Sequence, residues 1–169
     1  MKTPLIELPI RTRDGIFLAH YSEKGLAGLD FPTKQTGRAD LPVSPAARQR
    51  APANIRLWHG VTTAVLKKIL AGSKPKAFPP LDLAGTEFQK SVWSALRKIF
   101  PGQTKSYGEI ARAIGRPKAV RAVGGACGAN PVPVLVPCHR VLAANKKLGG
   151  FSGGLNWKRN LLAREGIRF

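Results

Sequence analysis

The chain has 169 residues and a mass of 18.2 kDa, room for one large domain or two small ones at about 100–200 residues each. Its 28 Lys and Arg outnumber its 9 Asp and Glu, giving a formal net charge of +19 at pH 7. Such an excess points to polyanions, with nucleic acid ahead of a membrane surface. A hydrophobic fraction of 43% argues against wholesale disorder, no apolar run approaches a spanning helix, and the N-terminus lacks the apolar core of a signal peptide. The two cysteines, Cys127 and Cys138, are too few for a disulfide framework or a Cys-rich zinc site. The composition therefore describes a soluble, cytoplasmic protein without a structural metal.

In chain order, Ile16-Phe17-Leu18-Ala19 and Leu26-Ala27-Gly28-Leu29 read as short strands of a hairpin around Glu23-Lys24-Gly25. Residues 31–56 are rich in Pro, Arg, Ala and Gln without periodicity and read as an irregular loop. Over 60–71, Val61, Val65 and Ile69 recur at helical spacing, and Gly72 is a stop signal. The stretch 73–80, SKPKAFPP, reads as a connector. A domain boundary near 80 then divides the chain into 1–80 and 81–169.

The second part carries stronger local signals. Thr86 and Gln89 match a capping box, followed by a stripe of Phe88, Val92, Leu96 and Ile99 that ends at Pro101-Gly102. Ser106 and Glu109 match a second box, opening a short helix through Ile114 with Gly115 as its stop. Pro117 suits the first turn of a further helix running to about Cys127, with Gly128 and Asn130 as breakers. The last two helices form a helix-turn-helix pattern, on a segment with 15 Lys/Arg and 4 Asp/Glu. Val120, Val123 and Cys127 should face the core. The other faces carry Ala119, Ala122, Gly124, Gly125 and Ala126, with Arg121 as the one long side chain. Major-groove readers need Arg, Asn or Gln at base edges, and this helix has little to read with. Its small residues suit close, sequence-independent approach to DNA or tight helix packing. Arg121 could fill the space of an extruded base.

The chemistry concentrates in Leu135-Val136-Pro137-Cys138-His139-Arg140-Val141, after a proline-punctuated apolar run. A cysteine acts as a nucleophile in its thiolate form, an imidazole can take the proton, and a carboxylate can orient the imidazole. The acidic residues after position 80 are Asp82, Glu87, Glu109 and Glu165. Glu109 serves as a cap, and Glu165, at the end of a C-terminal helix from about Leu155 to Gly166, is the best third member. On residues alone, a buried structural thiol and histidine fit the dipeptide as well, and a cycling Cys-His-Glu hydrolase fits the trio.

The longer string is more specific. Thr104-Lys105-Ser106-Tyr107-Gly108-Glu109, the run Arg121-Ala122-Val123-Gly124-Gly125-Ala126, Asn130-Pro131-Val132-Pro133 and Pro137-Cys138-His139-Arg140-Val141 resemble the O6-alkylguanine-DNA alkyltransferase family. The likeness runs from about Gly85 to Gly166 and is faint before residue 80. The resemblance implies an α/β protein: a small N-terminal α/β domain with a β-hairpin or sheet, ribonuclease-H-like, and a mainly helical, winged-helix-like C-terminal domain containing the helix-turn-helix. It implies transfer of an alkyl group from guanine O6, with thymine O4 as a second target, to the protein's own Cys138. It also implies a monomer acting once on double-stranded DNA, with no cofactor and no metal.

By the same resemblance, His139 deprotonates Cys138 through a water and Glu165 orients His139. Asn130 braces the turn before the active-site strand, and Tyr107 donates a proton to the departing guanine. Arg121 is the finger that replaces the flipped nucleotide. Ala119, Ala122, Gly124, Thr104, Ser106 and Lys118 join it in facing DNA. Pro133, Val141, Gly149, Phe151, Ser152, Gly153 and Cys127 line the base pocket. The backbone carbonyls of Cys138 and Val141 would accept from the guanine amino group. Phe151 stands where many members carry Tyr, Gly128 where some carry Arg, and the cysteines of the zinc site found in some members are missing. A relative without the cysteine binds alkylated bases without repairing them, and this non-catalytic role is the alternative.

Overall fold

The structure, a computed structural model, describes residues 4–32 and 49–169. The chain divides into two compact units, one of residues up to 67 together with 75–84, the other of 68–74 together with 85–169. Part of the loop expected over 31–56 lies outside the described residues.

The first unit holds a three-stranded antiparallel sheet in the order β1 (Ile6–Thr12), β2 (Gly15–Tyr21), β3 (Leu26–Asp30). Alternation buries Leu8, Ile10, Phe17, Ala19 and Tyr21 on one face. The β1–β2 turn closes where Thr12 Oγ1 donates to Gly15 O at 2.8 Å and accepts from Asp14 N at 3.1 Å. β2 and β3 are the expected hairpin. β1 went unread because Pro9 breaks the strand signal. As an edge strand it tolerates a residue with no N–H to donate. Just after the connector, Leu81 forms a parallel bridge with Leu26 of β3.

Helix α1 (Ala53–Leu70) begins seven residues before the expected start. Its buried stripe is Ile55, His59, Thr62, Val65, Leu66 and Ile69, and two of these are polar. Thr62 Oγ1 donates to Trp58 O at 2.8 Å, and His59 Nδ1 lies 3.1 Å from the Tyr21 hydroxyl. Sequence periodicity does not register polar residues satisfied in this way. The described helices include none long and apolar enough to cross a membrane.

In the second unit, α2 (Glu87–Leu96) and α3 (Tyr107–Ala113) both start at the expected capping boxes, with Thr86 and Ser106 as N-caps. Gly115, at φ +71°, ends the α3 turn, and α4 (Val120–Gly128) follows. Pro117 is not in the first turn of α4. It lies in a turn closed by Ala119 N donating to Arg116 O, and α4 opens at Val120 with no side-chain cap. A short parallel ladder pairs β4 (Lys105–Ser106) with β5 (Val141–Leu142), and α5 (Leu155–Arg164) ends the fold. Trp93, Leu96, Ile110, Val123, Val132, Val136, Leu161 and Leu162 form the core, and the Trp93 indole donates to Ala126 O at 2.8 Å. The molecule is a mixed α/β protein with a small sheet and a helical C-terminal unit built around α3–turn–α4.

Candidate active site at the Cys138 turn

Two expectations for α4 are corrected. Val120 is 40% exposed rather than in the core, and Ala126, expected on an open face, is buried. The core contacts of α2 fix this rotation, because Trp93 anchors on the Ala126 carbonyl. The residue at the helix start is left outward. Arg121 and Ala122 are exposed, and Ala119 and Gly124 are half-buried.

After α4 the chain makes a tight apolar turn in which Val134, a β-branched residue, sits at φ +74°. That conformation costs about 1–3 kcal/mol and persists only where its surroundings dictate it. Asn130 supplies the constraint. Its Oδ1 accepts from Val132 N at 3.0 Å, and its Nδ2 donates to Val136 O at 2.8 Å and lies 3.1 Å from Cys138 Sγ. Asn130 therefore ties the turn to the thiol.

Cys138, His139 and Arg140 form a 3₁₀ turn, not a strand. The ladder begins only at Val141. Cys138 N donates to Val136 O and Arg140 N to Pro137 O. The turn sends Cys138 one way and brings His139 and Arg140 onto Glu165. Cys138 faces a cavity of about 410 Å³ together with Tyr107, Val120, Arg121, Gly124, Cys127, Gly128, Gly150, Phe151 and Ser152. His139, fully buried, places Nε2 3.0 Å from Glu165 Oε1. Arg140 donates from Nε and Nη2 to the Glu165 carboxylate at 2.7–3.1 Å and from Nη1 to Ile99 O at 2.6 Å.

Electrostatics follow from this packing. Burial would raise the Glu165 pKa, but donation from His139 and Arg140 outweighs it and pulls the value down to about 2. Glu165 is thus ionised, and the His139 hydrogen facing it belongs on Nε2. Nδ1 then carries the lone pair, and among the described residues it has no hydrogen-bond partner. Burial keeps His139 below its ordinary value, with Glu165 opposing. Burial pushes the Cys138 thiol up, opposed by the Asn130 amide and the Lys158 charge. Tyr107 is raised by burial and by the two neighbouring thiols, so it stays a proton donor. Cys127 is pushed up to about 12, chiefly by burial, and remains a thiol.

The expected site residues divide clearly. Cys138, His139, Glu165 and Asn130 converge at the turn. Tyr107, Arg121, Gly124, Cys127, Phe151 and Ser152 share the cavity with Cys138. Pro133, Val141, Gly149 and Gly153 do not line it. Pro133 is buried in the apolar turn, and the Val141 carbonyl already accepts from Lys158 Nζ at 2.7 Å. Gly149 backs Tyr107, since a Cβ there would lie 3.0 Å from the Tyr107 hydroxyl. Thr104 and Lys118 do not line the cavity, and Ser106 is engaged as a cap. Sequence reasoning missed Val120 and Gly128 as lining residues, and Arg140 and Lys158 as buried cations. The only sequence signal for these cations was a basic residue within or beside an apolar motif. No group of three or more His, Cys, Asp or Glu among the described residues could hold a metal ion.

Residues 87–167 match the family model of the 6-O-methylguanine DNA methyltransferase DNA-binding domain. The fold resembles the crystal structure of the O6-methylguanine methyltransferase of Mycobacterium tuberculosis, with a TM-score of 0.72 and 37% identity, covering 98% of this chain and 94% of that one. The chain belongs to the 6-O-methylguanine DNA methyltransferase family. In sequence, it is 60% identical over 82 residues to the methylated-DNA–protein-cysteine methyltransferase of Methanosarcina acetivorans, covering 48% of this chain and 53% of that protein. The aligned part thus spans about half the length of that relative. A crystal structure of the M. tuberculosis OGT in complex with DNA superposes with a TM-score of 0.69 at 39% identity, covering 93% of this chain and 90% of that one. The methyltransferase family model lies wholly on the unit that carries Cys138, His139 and Glu165.

Proposed function

We propose that this protein repairs DNA by moving an alkyl group from guanine O6 onto Cys138 Sγ, once per molecule. The observation that carries the reading is the 3₁₀ turn itself. It exposes a cysteine to a cavity while its neighbouring histidine, held by an ionised glutamate, keeps an Nδ1 lone pair without a hydrogen-bond partner among the described residues.

The resting thiol is protonated, because burial raises its pKa. His139 Nδ1 takes that proton through one water, and the imidazolium is stabilised by Glu165. The thiolate attacks the alkyl carbon in line with the C–O6 bond. A new C–S bond forms, the C–O6 bond breaks, and its electron pair stays on guanine. Tyr107 donates a proton to the base, neutralising the leaving anion. The product is a thioether, which water does not readily cleave, so each chain reacts once.

Double-stranded DNA is the partner that the charge and the α3–α4 motif support. The small residues Ala119, Ala122 and Gly124 allow close approach, and Arg121 reaches from the cavity rim into the space of the flipped nucleotide. The reading places the protein wherever the cell keeps its DNA: the cytoplasm of a prokaryote or the nucleus of a eukaryote.

The test is to mix the protein with excess duplex carrying one O6-methylguanine, then record the intact mass and a peptide map. One methyl on Cys138, never more than one per chain and absent from Cys138→Ser, is the expected result. An unmodified protein that still binds the lesion would replace transfer with non-catalytic lesion binding.

A further inference from the structure

None of the transfer steps above uses Lys158, yet its side chain is fully buried. Burying an ammonium costs several kcal/mol unless it is fully hydrogen-bonded. Its partners are backbone carbonyls: Nζ donates to Val141 O at 2.7 Å, to Gly150 O at 3.2 Å and to Leu148 O. The three donors of the ammonium are thereby matched to three acceptors. The position is also unfavourable for α5, since a cation in the first turn opposes the helix dipole. Helix stability therefore does not account for it.

The three carbonyls outline one wall of the site. Val141 follows the Cys138 turn directly. Leu148 and Gly150 flank Gly149, whose backbone at φ +66° presses against Tyr107. Gly150 and the next two residues, Phe151 and Ser152, line the same cavity as the thiol. The titratable and charged groups around Cys138 are Cys127 and Arg121 on α4, Tyr107 on α3, Lys158 on α5 and His139 in its own turn, with Glu165 and Arg140 behind His139. Arg140 is committed to Glu165, whereas the charge of Lys158 bears on both thiols and favours their ionised forms.

We propose that Lys158 is a positioning residue of the transfer site: its ammonium clamps the glycine-rich wall of the cavity to the Cys138 turn and supplies a fixed positive charge to the thiolate. This rests on the transfer reading. A buried cation of this kind costs stability, and an apolar side chain of similar volume is often neutral or stabilising in its place. Lys158→Met should therefore separate function from folding.

The experiment compares wild type, Lys158→Met and Lys158→Ala in the full chain. Two readouts are the rate of transfer from free O6-benzylguanine and the pH profile of Cys138 alkylation by iodoacetamide. Lys158→Met should react about tenfold or more slowly, as expected for lost hydrogen bonds to a charged group, and its profile should move to higher pH. Ethylammonium chloride should restore part of the rate of Lys158→Ala, and sodium chloride at equal concentration should not. A Met variant with the wild-type rate and an unmoved profile would overturn the proposal, as would a loss that ethylammonium leaves unchanged. If neither variant melts cooperatively, isotope-labelled lysine nitrogen in the wild type decides. One ammonium with slowly exchanging protons, whose signal moves on alkylation of Cys138, is expected, and its absence refutes the clamp. Wild type inert to O6-benzylguanine would instead remove the transfer reading, and the iodoacetamide profile would still test Lys158.

Discussion

Glu165→Gln removes one charge from the site and nearly preserves its shape, and the structure sets the size of the effect. The Glu165 side chain is 3% exposed. It accepts from the Arg140 guanidinium at 2.7–3.1 Å and from Gly102 N at 3.3 Å, and it faces His139 Nε2 at 3.0 Å. Its pKa of about 2 lies well below the ordinary 4.5. That separation corresponds to roughly 3 kcal/mol of stability. An independent route agrees, because removing one partner of a buried ion pair costs about 3–5 kcal/mol. The variant should therefore be about 3 kcal/mol less stable at pH 7, a Tm lower by roughly 6–12 °C at the usual slope for this chain length. Because the folded pKa is depressed, the contribution is complete above pH 4.5 and is lost as pH falls toward 2. His139 is depressed too, so its own contribution fades below its ordinary 6.5. Urea unfolding followed through Trp93, buried in the same unit, measures this at steps from pH 7 to 2.5. A difference under about 1 kcal/mol at pH 7, or one unchanged down to pH 2.5, would refute the argument.

Three further substitutions test other parts of the site. Arg121→Ala should slow transfer from duplex DNA by about tenfold or more, because base extrusion costs a few kcal/mol, while sparing free O6-benzylguanine; equal slowing on both would contradict the finger role. Gly149→Ala puts a Cβ 3.0 Å from the Tyr107 hydroxyl on a backbone at φ +66°. It should cost about 1 kcal/mol and lower the transfer rate more than the thermal shift implies, and a variant with normal rate and Tm would count against Tyr107 as donor. Asn130→Ala strands Val132 N and Val136 O beside the strained Val134, for a loss of about 2–3 kcal/mol; an unmoved urea midpoint would mean that the turn holds without it.

Much of the site was legible because its signals are local. The capping boxes at Thr86 and Ser106 satisfy backbone donors three residues away, so spacing alone reveals them. Gly115 ends its helix turn through its own positive φ. Cys138 and His139 are neighbours in the chain, and Glu165 stood out because acidic residues are scarce in a strongly basic segment. What escaped was set by distant partners. The early start of α1 depends on polar residues made tolerable by Trp58 and Tyr21. The outward turn of Val120 depends on Trp93 reaching the Ala126 carbonyl. The cavity excludes Pro133 and Val141 because both are enclosed by the packing of the turn.

By itself, then, the sequence determined which groups could do chemistry: one thiol beside one imidazole, a carboxylate for it to lean on, and a basic helix-turn-helix with small residues on its surface. Tertiary structure decided the states of those groups. Only packing holds Glu165 ionised despite its burial, leaves Nδ1 of His139 without a hydrogen-bond partner among the described residues, and raises the thiol above its ordinary pKa. Only packing turns Lys158, an ordinary lysine on an amphipathic helix, into a buried clamp on three carbonyls. The physical reason is that residue type and spacing are written along the chain, whereas desolvation and Coulomb coupling depend on which segments meet in space.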